Sequence, residues 1–256
     1  MNALFQFATD LGEQTLWTGI IVFLRVGAAM ALFPAFGEQM LSIRVRLFLA
    51  FAFTTVVAPA IAPDLQISQS VPQIGLGFFA EVVIGLALGF SVRFFILALQ
   101  TAGAIIAQST SLSQIFGGAG EPAPAMGHIL FFAGLALAVM NDLHVKLATY
   151  LVLSYEVLPF GAFPNASALH NWGLMGLIKT FNLAFTLSAP FLIASLIYNF
   201  ALGVINRAMP QLMVTFVGAP AITAGGLLLL IAASPILLSA WASALDSFFL
   251  NPFGNR

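Results

Sequence analysis

An all-α, integral membrane-type protein is the fold class that this sequence predicts, and three observations predict it. Only 7% of the residues are Asp, Glu, Lys or Arg while 61% are apolar, and the mean hydropathy is +1.04. Soluble domains carry about 25% charged and about 45–50% apolar residues, so most of this chain's exterior faces lipid or other apolar protein. The apolar residues also come in long continuous runs rather than in alternation, which favours helices over the strands of a barrel. Finally, a chain of 256 residues, at roughly 20 apolar residues per crossing, has room for about six spans in one domain covering residues 1–256.

The same composition excludes several classes of function. Eight basic and nine acidic residues give a net charge of −1, which provides no broad basic surface for nucleic acid. The absence of cysteine removes disulfides, thiolate metal sites and cysteine nucleophiles. Residues Met1 to Glu13 hold acidic Asp10 and Glu13 and no basic residue, so they do not read as a cleaved signal, and targeting is expected from the spans themselves.

Taken in order, the first apolar run is Gln14 to Phe36, interrupted by Arg25 and bounded by Pro34 and Gly37. A polar turn from Glu38 to Arg46 carries Arg44 and Arg46, and a second run covers Leu47 to Ala62. The basic turn marks one side as cytoplasmic, and the stretch Leu65 to Gln73, without a basic residue, marks the other. A third run, Ile74 to Ala107, contains only Glu81, Arg93 and Gln100 as polar breaks of any size. As one helix it would be about 50 Å long against a hydrocarbon core of about 30 Å, so it either turns near Ser91 to Arg93 or projects beyond the bilayer.

Residues 108–126 (QSTSLSQIFGGAGEPAPAM) form an internal loop, because three glycines followed by two prolines exclude regular helix. Helix resumes over Gly127 to Met140, and a polar cluster follows at Asn141 to Lys146. The next run is Leu147 to Phe160, and a loop is expected over Asn165 to Asn171. Trp172 to Ala201 is long and apolar with Pro190 as an expected kink. A turn at Asn206 to Gln211 precedes a last stretch, Leu212 to Leu245, broken by Pro220, Gly225, Gly226 and Pro235.

Charges inside apolar runs are the candidates for chemistry: Arg25, Glu81, Arg93, Asp142, His144, Lys146, Lys179 and Arg207. They serve either as ion relays or as structural pairs and snorkelling groups, and Glu81 is the best placed of them to be buried. The three histidines do not form a metal set, and Gly117 to Gly120 lacks the Lys and Ser/Thr of a phosphate loop. No catalytic constellation stands out, so the chain is read as a non-enzyme without cofactor or metal. Gly85 and Gly89 have the spacing of a close helix contact. The loop is an ordinary connection if it lies outside the membrane. If it lies within an assembly it is a plug, because irregular backbone at membrane depth has to line a cavity or be buried in protein.

The segment Gly203-Val-Ile-Asn-Arg207-Ala-Met-Pro210-Gln211-Leu212-Met-Val-Thr-Phe216-Val-Gly218-Ala-Pro220 resembles the C-terminal signature of the flagellar biosynthetic FliR family, related to the T components of type III secretion export apparatus. Arg25-Val-Gly27, Pro34 and Gly37, then Arg44-Val-Arg46, match further along the family pattern, as do Glu81, Gly85 and Gly89. Ala102-Gly103, Gln108 and Glu121-Pro122 resemble its glycine-rich loop, and His144, Ser154, Pro159 and Gly161 match its spacing. Departures are Met213 where Asn is usual, Asn141-Asp142-Leu143-His144 in place of Asn-Gly-His-His, and Ser42 where Pro is common.

The resemblance implies kinked helical hairpins within a helical export-gate complex at the flagellar basal body or secretion-system base of the bacterial inner membrane. It implies FliP-like and FliQ-like partners, contact with other export-apparatus membrane proteins and lipid, and a pore that passes unfolded secreted proteins. It also implies a pore-loop or plug at Ile115, Phe116, Gly117, Gly118, Gly120, Glu121 and Pro122. Buried polar or assembly roles are expected for Glu81, Arg93, His144, Arg207, Pro210 and Gln211. The rival reading is a stand-alone secondary transporter or channel for a small solute, which would show repeated halves; none is visible.

Overall fold

A computed structural model describes residues 2–38, 40–62, 71–111, 125–209 and 214–254. Every regular element among them is a helix: α1 Asn2–Met30, α2 Ile43–Ile61, α3 Val71–Ser111, α4 Ala125–Met140, α5 Leu143–Val157, α6 Ala166–Ala208 and α7 Val214–Leu250. Four of these are long and apolar enough to cross a membrane, or up to five if α4 and α5, broken at Asn141-Asp142, count as one span. That is fewer than the about six spans expected, because the apolar part of the first run, Thr15–Met30, is shorter than a crossing requires.

Several boundaries differ from the sequence expectation, each for a local reason. The first run stops at Met30 because Phe33 precedes Pro34, which disfavours helical backbone. The chain then turns through Ala35 at φ 66 and closes with Gly37 N–H donating to the Phe33 carbonyl at 2.7 Å. A Cβ at Gly37 would lie 2.6 Å from the Ala31 carbonyl oxygen, so this turn requires glycine. Arg44 and Arg46 belong to the first turn of α2 rather than to a polar turn. Ser42 caps that helix, its Oγ accepting from the Val45 N–H at 3.4 Å, so the residue that departs from the family's Pro still starts the helix.

The third run does not turn at Ser91 to Arg93. It is one helix of 41 residues, about 60 Å long, or twice the hydrocarbon thickness. The loop expected over Asn165 to Asn171 is instead the first turn of α6: the Asn165 side chain accepts from the Ser167 N–H at 3.0 Å, as an N-cap residue does. Pro190 lies inside α6, and Pro220 and Pro235 lie inside α7, so neither helix is interrupted at these residues. Each proline removes one backbone hydrogen bond. Breaking the helix would expose several unpaired groups to lipid, and that is the larger cost.

The chain divides into two compact units. Unit 1 is Met1–Arg93, Val139–Gly176 and Phe248–Arg256; unit 2 is Phe94–Ala138 and Leu177–Ser247. In unit 1, α1 packs on α2 and α2 on α5, with Phe23 stacked on Phe51 at 4.6 Å. The α1–α3 approach is closer still. A Cβ at Gly85 would strike the Arg25 carbonyl and lie 2.8 Å from Ala28 Cβ, and one at Gly89 would lie 2.8 Å from Leu32 Cβ. The expected small-residue contact is therefore formed, against α1. Tyr150 closes this core, its hydroxyl 2.8 Å from Ser91 Oγ and its ring stacked on Phe253 at 5.4 Å.

In unit 2 a Cβ at Gly103 would strike the Gly127 backbone, which brings α3 and α4 into direct backbone contact. Trp241 of α7 is fully buried and donates its indole N–H to the Phe95 carbonyl at 2.8 Å. Ser195 of α6 donates to the Ser109 carbonyl at 2.6 Å. A tryptophan or serine buried at such a contact needs a polar partner, and a carbonyl on the neighbouring helix supplies it.

Candidate functional site

Among the described residues two charged side chains are wholly buried, and they meet. Arg25 of α1 and Glu81 of α3 are both 0% exposed. Arg25 Nε donates to Glu81 Oε2 at 2.6 Å and Nη2 to Oε1 at 2.8 Å. Such a two-pronged pair uses the planar fork that only arginine offers. Nη2 also donates to the Leu158 carbonyl at 2.8 Å. That residue caps the C-terminal end of α5, where a positive charge is favourable. Nη1 donates to Ser154 Oγ at 3.0 Å while Ser154 gives its own proton to the Leu151 carbonyl at 2.6 Å. Tyr155 completes the enclosure: its hydroxyl donates to Glu81 Oε2 at 3.2 Å and its ring lies 3.5 Å from the guanidinium carbon, a cation–π contact.

This cluster is formally neutral and closed. Both carboxylate oxygens are engaged, and the guanidinium is held by a carboxylate, a hydroxyl, a carbonyl and a ring. It joins α1, α3 and the end of α5 at one point. Ser154, Tyr155 and the Leu158 carbonyl were not among the expected site residues. In the sequence Ser154 is marked only by its match to the family's spacing, and nothing in the spacing of apolar residues singles out Tyr155 or Leu158.

A second charged group lies elsewhere in unit 1. Arg93 Nη1 donates to Glu38 Oε1 at 2.7 Å, with side-chain exposures of 22% and 14%. Arg46 Nη2 donates to the Glu38 backbone carbonyl at 3.0 Å, and Arg44 is exposed. Arg93 is thus a half-buried partner of a residue that the sequence placed merely in a turn.

The other expected site residues are distributed as follows. His144 lies exposed in the first turn of α5, and Arg207 lies exposed in the last turn of α6; neither is buried within this chain. Ile115, Phe116, Gly117, Gly118, Gly120, Glu121 and Pro122 lie outside the described residues, as do Pro210 and Gln211.

The most extensive feature of unit 2 is apolar. α6 buries a narrow stripe that includes Thr180, Ala184, Leu187, Ser188, Phe191 and Ser195, a helical spacing with small and hydroxyl side chains. Around that stripe it leaves Phe185, Leu196, Ile197 and Phe200 exposed, the last by 76%. Of the most apolar window of this helix, only 17% is buried.

Residues 16–248 match the family of bacterial export proteins, family 1. The chain belongs to this family. Among curated relatives it is 34% identical to the flagellar biosynthetic protein FliR of Caulobacter vibrioides, over 90% of this chain and 91% of the relative. It is 31% identical to FliR of Escherichia coli K12 over 84% and 83%, and 26% identical to FliR of Aquifex aeolicus over 93% of each. Family membership and the long apolar helices together make it an all-α membrane protein of the flagellar export apparatus.

Proposed function

We propose that this chain is a non-enzymatic subunit of the export gate, assembling with FliP- and FliQ-like partners around a pore through which unfolded flagellar proteins leave the cytoplasm across the inner membrane. The observation that carries this reading is the length and bareness of α6. Its 43 residues would extend about 64 Å, roughly twice the hydrocarbon core. An apolar face that long, only 17% buried over its most apolar window, extends past the lipid and needs protein cover. Neighbouring subunits of a membrane-embedded assembly would provide that cover.

The expected loop 108–126 is shorter than its composition suggested, since residues 108–111 end α3 and 125–126 begin α4; in this proposal the segment 112–124 between those helices supplies the seal. A gate has to exclude ions and yet yield to a polypeptide, which calls for a segment of low local stability. Gly117, Gly118 and Gly120 each sacrifice about 1 kcal/mol of helix propensity, and Ile115 with Phe116 offers a water-excluding tip. The partner claim is tested by placing a photo-crosslinking residue at Phe200 or Ile197 in cells expressing FliP- and FliQ-like proteins. Adducts with one of those subunits are expected. Adducts with lipid alone at both positions would contradict the reading.

A further inference from the structure

We infer that Lys179, Asn182 and the Thr186 carbonyl form one polar stripe on α6 that receives a carboxylate-bearing membrane helix of a neighbouring subunit. The inference rests on the reading that other subunits cover α6, and it names the chemistry by which one of them docks. The starting observation is an unpaired cation. Lys179 is exposed and pairs with no acid among the described residues; the two ion pairs there belong to Arg25 with Glu81 and Arg93 with Glu38. Leu177, Ile178, Phe181 and Phe185 ring it, each 44–55% exposed. An ionisable side chain within an apolar helix face needs an opposite charge, and this chain does not supply one.

Two further polar groups on the same face lack partners. Positions 179, 182 and 186 recur at the three- and four-residue steps that stack side chains along one side of a helix, and all three residues are exposed. The Asn182 backbone carbonyl accepts from Thr186 Oγ1 at 2.8 Å, but the Asn182 side-chain amide makes no hydrogen bond among the described residues. Pro190, four residues beyond Thr186 and inside the helix, has no N–H, so the Thr186 carbonyl is left without its usual donor. An ammonium, an amide and a carbonyl therefore stand in line on a helix that is otherwise apolar, where each unmet group is costly.

The geometry selects a helix as the occupant. Helical side chains lean toward the N-terminus, so a lipid headgroup met by Lys179 would lie on that side, whereas Asn182 and Thr186 lie one and two turns the other way. The stripe covers about 10 Å from residue 179 to 186 at 1.5 Å per residue, more than one headgroup can serve. Water is a poor occupant as well, because four large apolar side chains surround the lysine. A helix lying along α6 reaches all three groups, with a carboxylate opposite Lys179 and a hydroxyl or amide opposite the other two. The same face continues to Ile193 and Ile197, 59% and 65% exposed, which give that helix an apolar surface to pack on. Polar groups joined across such a contact set which helices associate.

The test co-expresses the full-length tagged chain with the FliP- and FliQ-like proteins and measures the partners recovered by affinity purification in an uncharged detergent. Lys179 is exposed and pairs with no acid of its own chain among the described residues, so its variants leave the fold intact. Recovery should fall about fivefold in Lys179→Gln and about tenfold or more in Lys179→Glu, and stay within about twofold of wild type in Lys179→Arg. Changing one intramembrane Asp or Glu of a co-expressed partner to Lys should restore recovery of Lys179→Glu. The chain has no cysteine, so Asn182→Cys reports the surroundings of the stripe with Lys179 in place. A membrane-impermeant maleimide should leave it unlabelled in the assembled complex. Labelling there would put the stripe in an aqueous lumen and overturn the proposal. A disulfide between two copies at that position would make the face a self-interface and overturn it too. Unchanged recovery in both Lys179→Gln and Lys179→Glu would assign the lysine to lipid, and failure of every partner reversal would remove the carboxylate; either result sinks the proposal. If photo-crosslinks from Ile197 to a partner persist in those cases, the proposed function stands without this inference, and if they are absent as well, both fail.

Discussion

Arg25 shows how much structure a single charged residue can organise in an apolar protein. Within a medium of low dielectric its charge is tolerable only because Glu81, Ser154, Tyr155 and the Leu158 carbonyl enclose it. Removing one partner leaves the other buried and uncompensated, which costs about 3–5 kcal/mol, whereas replacing both by apolar groups of similar volume is close to neutral. Arg25→Met and Glu81→Leu should each lower the temperature at which the protein leaves solution, and the double variant should recover most of the loss. Additive losses in the double variant would show that the pair is not the unit. Glycine gives a second residue-scale prediction. Gly85→Ala drives a methyl into the Arg25 carbonyl and Ala28, an overpacking cost of about 1–3 kcal/mol. At Gly19 nothing lies within 4 Å of the added methyl, so Gly19→Ala should be neutral or stabilising by up to about 1 kcal/mol. Thermal stability measured on the two variants side by side checks the contrast. The close approach at Gly85 and Gly89 was legible from their spacing, and Arg25 and Glu81 stood out as charges in apolar runs. Their joining was not legible, because the two residues stand 56 apart in the sequence and nothing in spacing fixes the rotation of α1 against α3.

At the scale of elements, apolar continuity was a good guide to helices and a poor guide to their ends. The third run and α6 were found as long helices, yet Arg44, Arg46 and His144 proved to lie within first turns, and Pro220 and Pro235 within α7. Polar residues and prolines normally mark boundaries, but in lipid the need to pair every backbone group carries a helix through them. Arg207 belongs here as well. It occupies the last turn of α6, favourably placed against the helix dipole, and is exposed on this chain. If it meets an acceptor on a partner, Arg207→Ala should reduce recovery of the complex several-fold, while Arg256→Ala should not. Equal recovery of both by affinity purification would assign Arg207 to the membrane edge. The proposed plug makes a separate prediction. Deleting Phe116 to Gly120 should raise ion leakage across the membrane, measured by conductance or dye loss in cells, with the complex still assembled. An assembled complex as tight as wild type would remove the seal from this loop.

At the scale of the whole molecule, the membrane character followed from composition, since a chain with 7% charged residues cannot cover itself with a polar surface, and the unbroken apolar runs made the spans helical. What composition could not distinguish is lipid-facing from partner-facing apolar surface, because both select the same side chains. Unit 1 has an internal ionic clasp, whereas in unit 2 the exposed residues Leu196, Phe200, Leu228 and Ile231 leave broad faces of α6 and α7 uncovered. The central claim is that these faces are completed by other subunits. The most direct measurement is purification of the tagged chain expressed with and without FliP- and FliQ-like proteins, followed by imaging of the particle. The account predicts a hetero-oligomeric particle with partners and a degraded or aggregated chain without them. A stable, monodisperse monomer in detergent with no affinity for either partner would contradict it.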